Sequence, residues 1–354
     1  MTLARDASRD LARVPTDRPA QAVRAPRRRA RGPYAAIDLG TNNCRLLIAR
    51  PDPAADGFQV IDAFSRVVRL GENLVSTGRL SDAAMDRAVA ALASCAEKLA
   101  RRGVAHARSV ATEACRRAAN AAEFVARVHA ETGLALDVIS PEEEARLAVM
   151  GCATLIEPDA ARALVFDIGG GSTEVALVAR TGRAPPTAHT PGLETLGWVS
   201  VPWGVVSLAE SEPHDAGSPE ARLEAYGRMR ARVASHLTGL APRLTPDVQF
   251  LGASGTVTTL AGLQMGLATY DRRRVDGAWT AAPDMRALSR QLAAMSPRER
   301  AAIPGIGPDR ADLVVAGAAI LEAVLDTCPA VERLRVADRG LREGILRSMM
   351  ARDA

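Results

Sequence analysis

Ala36-Ile37-Asp38-Leu39-Gly40-Thr41-Asn42-Asn43 and Val165-Phe166-Asp167-Ile168-Gly169-Gly170-Gly171-Ser172-Thr173-Glu174 share one design. In each, a short apolar strand ends in Asp, Gly and small hydroxyl or amide residues follow, and apolar sequence resumes (Cys44–Ile48; Val175–Val178). Glycine lets the backbone turn freely and lets main-chain N–H groups approach a ligand. Successive exposed N–H groups form an anion-binding concavity. Thr, Ser and Asn add donors, and the Asp ending each strand can hold a divalent cation or a water. Two such hairpins, about 130 residues apart, predict two related halves facing each other across a phosphate.

Working outward, Phe250-Leu251-Gly252-Ala253-Ser254-Gly255-Thr256 is again a strand, a small-residue turn and a helix start. It suits phosphate or ribose contact by helix N-terminal amides, with Gly252, Ser254, Gly255 and Thr256 as candidates. Alone it is weak, because tight packing of helix on strand also selects Gly. A third segment of the same kind in one chain is harder to dismiss.

Ser140-Pro141-Glu142-Glu143-Glu144-Ala145-Arg146 reads as a helix start. Ser140 fits the N-cap, Pro141 the first helical position, and Glu143 the closing partner of a capping box. Glu144 is left over, past the cap and projecting in another direction. The residues alone do not make it a functional carboxylate.

Strands are expected at Tyr34–Ile37, Arg45–Ala49, Phe58–Phe64, Ser65–Leu70, Ala107–Ala111, Leu136–Ile139 and Val248–Leu251. Helices are expected from Ser81 to about Arg102, Asn120 to Glu131, Ser140 to Ala153 and near 219–240, with several more toward the C-terminus. This mixture predicts an α/β architecture, and 354 residues exceed one typical core. The division expected is a tail over 1–32, a first domain over 33–158 and a second over 159–354.

The net charge of +4 misleads. Residues 1–32 hold nine Arg against three Asp, so the body is slightly acidic and the basic character belongs to the tail. That Ala- and Pro-rich tail lacks apolar periodicity and is expected to be disordered. Aromatics make up 3% of the chain, which argues against stacking platforms for single-stranded nucleic acid. No stretch reaches the roughly 18 apolar residues of a membrane span, and the N-terminus lacks the apolar core of a secretory signal. Five widely spaced cysteines without a C-x-x-C pair fit reduced thiols in a cytoplasmic protein and suggest no metal site. Arg310, Asp312, Asp338 and Arg342 are read as an ion-pair network holding the C-terminal helices.

The three glycine segments, the Ile139–Arg146 stretch and Asp338-Arg339-Gly340-Leu341-Arg342-Glu343-Gly344 occur in an order that resembles the exopolyphosphatase/guanosine pentaphosphate phosphohydrolase (Ppx/GppA) family, from about Tyr34 to about Met349. The resemblance implies two similar domains of the actin, sugar-kinase and Hsp70 superfold around a phosphate-binding cleft. It implies that Glu144 activates the attacking water and that Arg116 contacts phosphate. Asp167 and Glu174 match positions associated with a divalent metal, Mg²⁺ being expected, with Asp38 facing them. Gly40, Thr41, Asn42 and Asn43 would bind one side of the phosphate, and Gly169, Gly170, Gly171, Ser172 and Thr173 the other.

The chain departs from the Ser-Asn-Ser-type first loop of many members by having Thr41-Asn42-Asn43. The additional C-terminal helical region of long members has no counterpart, so short polyphosphates and guanosine penta- or tetraphosphate are both expected partners, and a homodimer is left open. Two other readings use the same superfold: a sugar-kinase-like phosphotransferase, and a non-catalytic polyphosphate or alarmone sensor.

Overall fold

In the computed structural model, which describes residues 32–55, 57–181, 192–215 and 217–353, the two Asp-Gly hairpins open two sheets of the same plan. The first sheet contains β1 (Tyr34–Leu39), β2 (Asn43–Asp52), β3 (Gly57–Val67), β4 (His106–Ala111) and β5 (Leu136–Val138), in the order β3-β2-β1-β4-β5. The second contains β6 (Arg162–Ile168), β7 (Thr173–Arg180), β8 (Leu193–Val201), β9 (Gln249–Ala253), β10 (Trp279–Ala281) and β11 (Arg333–Ala337). Its order, β8-β7-β6-β9-β11-β10, repeats the first sheet and adds one edge strand. In both sheets the first three strands are antiparallel and the next two join in parallel. The fold is thus α/β with two lobes of similar plan, and the repetition predicted from the hairpins extends through five strands.

β1 shows why a continuous apolar run is needed at the centre. Ala35, Ile37 and Leu39 pack on one face against Ala84, Ala88 and Leu92 of the helix Asp82–Arg101. Tyr34 and Ala36 pack on the other face against Leu341, Ile345 and Met350 of the C-terminal helix Leu341–Arg352. A strand covered on both faces buries its apolar side chains on either side, so its sequence does not alternate; only Asp38, at the cleft, is partly exposed.

The packing does not follow a division at residue 158. The helix Pro141–Cys152, expected in the first domain, packs Val149 and Cys152 against Ala163, Val165, Ala176 and Val178 of the second sheet. The helix Leu341–Arg352, expected in the second domain, covers the first sheet. The two helices cross at glycines: a Cβ on Gly151 would sit 1.9 Å from the carbonyl oxygen of Gly340, and one on Gly344 would sit 1.9 Å from that of Leu147. Each helix thus belongs to the opposite lobe's core, and residues 32–354 form one contact unit.

Other differences are local. The two strands expected over 58–70 are one strand, β3, followed by a turn. The helix expected near 219–240 spans Pro219–Ala234. Strand β11 was not foreseen because Arg333 and Arg335 interrupt its apolar residues; their guanidiniums lie 4.2 and 5.5 Å from the Trp279 ring. The network expected among Arg310, Asp312, Asp338 and Arg342 does not form. Asp312 pairs with Arg69, Asp338 with Arg272, and Arg310 bonds Thr259. The tail expected to be disordered lies, up to Arg31, outside the described residues. Among those residues, no helix is long and apolar enough to cross a membrane.

Candidate active site

Each Asp-Gly hairpin is closed by one short bond, Gly40 N–H to Asn43 O (2.9 Å) and Gly169 N–H to Ser172 O (3.0 Å). A following segment then caps the loop carbonyls. In the first lobe, Val68 and Arg69 N–H bond Asn42 O (2.9 and 3.0 Å), and Gly71 N–H bonds Thr41 O (2.9 Å). In the second, Val205 N–H bonds Gly169 O (3.0 Å), Val206 N–H bonds Gly170 O (2.8 Å), and Ser207 Oγ donates to Gly171 O (3.0 Å). With these oxygens engaged, the N–H groups of Thr41, Asn42, Gly170 and Gly171 donate to no protein acceptor among the described residues. Thr41 Oγ1 and Asn42 Oδ1 are likewise buried without a hydrogen-bond partner. Buried polar groups are nearly always satisfied, so this cluster fits a polar ligand.

The loops meet face to face through their glycines. A Cβ on Gly170 would lie 3.0 Å from Asn42 N, and one on Gly171 would lie 2.6 Å from Thr41 Oγ1. Ser254 then starts the third element. Its φ of 151° is rare for a residue with a side chain, and its Oγ caps the helix Gly255–Gln264 by accepting from Val257 N–H (3.2 Å). Such backbone strain tends to persist at functional sites.

These elements enclose a cleft of about 320 Å³ whose lining includes Asp38, Glu144, Asp167 and Glu174. Burial, Glu174 and Asp38 push Asp167 up to about 7, and burial pushes Glu174 up to about 7. Burial raises Asp38 as well, against the pull of Arg45. Burial and Glu174 hold Glu144 well above the usual carboxylate range, with Arg116 opposing the rise. The helix carrying Glu144 starts as the sequence implies, with Ser140 Oγ accepting from Glu143 N–H (3.2 Å) and Pro141 in the first turn. The capping box is not closed, however, because the Glu143 carboxylate turns to Arg108 (3.1 Å) and Arg146 (2.8 Å).

The cleft brings together Asp38, Gly40, Thr41, Asn42, Asn43, Glu144, Asp167, Gly169, Gly170, Gly171, Ser172, Glu174, Ser254, Gly255 and Thr256. Three expected residues stand apart. Thr173 is fully buried, and its hydroxyl donates to Trp203 O at 2.8 Å. Gly252 lies within β9, where a Cβ would sit 2.6 Å from the Phe166 ring, so it serves packing. Arg116 does not line the cleft, because Glu113, Ile139 O and Glu144 hold its guanidinium. Arg45 and Glu113 do line it and were not singled out, and Arg310, read as part of an ion-pair network, lines it too. For Arg45 a signal existed: it follows Asp38 by seven residues, as Glu174 follows Asp167.

A family model described as the Ppx/GppA phosphatase family matches residues 47–353. Exopolyphosphatase 2 of Mycobacterium tuberculosis is 30% identical over 326 residues, covering 89% of this chain and 98% of that protein. The crystal structure of an Aquifex aeolicus member of the Ppx/GppA family is 29% identical with a TM-score of 0.73, covering 91% of this chain and 98% of that one. An exopolyphosphatase from Cytophaga hutchinsonii is 27% identical with a TM-score of 0.77, covering 90% and 98%. With the motifs in order, the sheets repeated and the cleft walled by both loops, the chain belongs to the Ppx/GppA phosphatase family.

Proposed function

We propose that this cleft hydrolyses the terminal phosphoanhydride bond of inorganic polyphosphate or guanosine pentaphosphate. The observation that carries this reading is the lining of one cleft by the two amide-bearing loops and Glu144. The relatives from M. tuberculosis and C. hutchinsonii, both named exopolyphosphatases, support polyphosphate as a substrate.

The terminal phosphate would lie between the loops, its oxygens accepting from the open N–H groups and from Thr41 Oγ1. Glu144 takes a proton from water as the water oxygen bonds to phosphorus. The bridging P–O bond then breaks, and the shortened chain leaves with its electron pair. A buried carboxylate raised above its ordinary range is a stronger base for that proton, and Arg116 opposes the rise. Preorganised donors lower the barrier because they need not reorient as charge moves.

The donor set of Asp167 and Glu174, with Asp38 opposite, is all hard oxygen, which fits Mg²⁺. Among the described residues, no three His, Cys, Asp or Glu side chains converge into a complete cage. Mg²⁺ seldom needs one, since it takes one or two carboxylates and completes its shell with waters and substrate phosphates. When bound, it would neutralise charge on the phosphate oxygens and relieve the repulsion between Asp167 and Glu174.

Phosphate release from both substrates, with Mg²⁺ supplied, tests the reading. Wild type should turn over, and Glu144→Gln should fold normally and lose about 10²–10⁴ in rate. Retained activity in the variant would remove Glu144 from its role. Tight binding without turnover by wild type would favour a sensor, and ATP consumption only with an added sugar would favour a phosphotransferase.

A further inference from the structure

The cleft contains a carboxylate with no role so far, Glu113, at the start of the short helix Glu113–Arg117. Its side chain is 14% exposed, and Oε2 accepts from Arg116 Nε (3.0 Å) and lies 2.9 Å from Arg116 Nη2. On the other side of the same guanidinium, Nη1 donates to Ile139 O (2.9 Å) and to Glu144 Oε2 (2.8 Å). One arginine is therefore gripped by two carboxylates, and one of them is the proposed base. Glu113 also abuts the second phosphate loop: a Cβ on Gly171 would fall 2.9 Å from Glu113 Cγ.

We infer that Glu113 is a positioning residue for Glu144, acting through Arg116; this rests on the hydrolase reading above. A guanidinium is a planar fork whose donors are aimed together. The bond that Nε donates to Glu113 Oε2, with Nη2 held 2.9 Å from the same oxygen as an ion pair, sets the plane of that fork, and the plane sets where Nη1 meets the Glu144 carboxylate. Without Glu113, Arg116 is oriented by the base it is meant to orient and by a single carbonyl. Because Glu113 rests against Gly171, the same contact ties the aim of the base to the loop that would cradle the phosphate. Glu113 and Arg116 are one turn apart on one helix, so the pair links no distant parts of the fold.

The test is a kinetic double-mutant cycle on the full chain, with short-chain polyphosphate and Mg²⁺. Glu113→Ala should lower kcat about 10- to 100-fold with KM little changed, the loss expected when a reacting group is misplaced by about an ångström. Glu113→Gln keeps an oxygen acceptor for Nε and should retain more activity than Glu113→Ala. In an Arg116→Ala background, Glu113→Ala should cost nothing further, since residues acting as a unit are not additive. A Glu113→Ala loss of the same factor in both backgrounds, or a rise in KM alone, would overturn the inference while leaving the hydrolase reading intact. A wild type without turnover would overturn both.

Discussion

The two hairpins that face each other across the cleft are alike in topology and differ in charge: the first pairs an acid with a base, the second two acids. Each ends its first strand in Asp, turns through glycine and places another charged residue seven positions later. In the first lobe that residue is Arg45, directly opposite Asp38 in the antiparallel register. In the second it is Glu174, directly opposite Asp167. Facing side chains on paired strands interact strongly, so the first pair is compensated and the second repels. Burial raises Asp38 against Arg45, whereas Asp167 and Glu174 both reach about 7. The difference leaves excess negative charge in the second lobe alone, which is where the reading proposed above puts the cation.

The largest expected effect comes from breaking the repelling pair. Asp167→Asn or Glu174→Gln should lower phosphate release by about 100-fold or more at fixed Mg²⁺, as loss of metal charge stabilisation worth several kcal/mol would. Asp38→Asn should cost less and should shift the Mg²⁺ requirement less. Equal shifts from all three variants, read from Mg²⁺ titrations of activity, would erase the distinction between the lobes.

A smaller effect separates the glycines. At Gly40 a Cβ would meet Asn43 O at an ordinary 3.5 Å, whereas at Gly171 it would meet Thr41 Oγ1 at 2.6 Å and Glu113 Cγ at 2.9 Å. Gly171→Ala should therefore cost about 1–3 kcal/mol of stability by overpacking and weaken activity, while Gly40→Ala should be nearly silent in both. Denaturant unfolding and phosphate release would show the asymmetry or its absence.

The smallest effect is a pH slope in metal-free protein. Asp167 and Glu174 titrate at about 7 when folded, against about 4 for carboxylates in an open chain. Folding therefore takes up protons between those values, so the stability these groups contribute is greatest below about 4 and is lost as pH rises through about 7. The thermal midpoint should fall from pH 5 to pH 8. Added Mg²⁺ should restore it at pH 8, because a ligand selective for the folded state stabilises by mass action. Asp167→Asn should flatten the slope more than Asp38→Asn; a slope untouched by either would place its origin elsewhere.

Much of the site was legible because short-range rules produce it. Asp, Gly and small polar residues after an apolar run make a strand, a tight turn and open amides in most contexts. The Ser140-Pro141 start is local in the same way. What could not be read was which polar residue faces the cleft. Thr173 looked like a continuation of the phosphate loop, yet the strand alternation turns it into the protein toward Trp203 O. Gly252 looked like a ligand contact, yet it makes room for Phe166. Arg116 was expected on phosphate, but Glu113 and Glu144, the latter 28 residues later, hold it first.

By itself the sequence determined the two hairpins, their turn chemistry and the start of the Glu144 helix, because glycine freedom, strand burial and capping act over a few residues. The tertiary structure decided the exchange of the Pro141–Cys152 and Leu341–Arg352 helices between lobes, which rests on close contacts between Gly151 and Gly340 and between Gly344 and Leu147, far apart in the chain. It also decided that Asp38, Glu113, Glu144, Asp167 and Glu174, distant in the chain, share one cleft. Local propensity holds no information about which distant charge a side chain will meet, and burial turns that meeting into chemistry by removing the water that would have screened it.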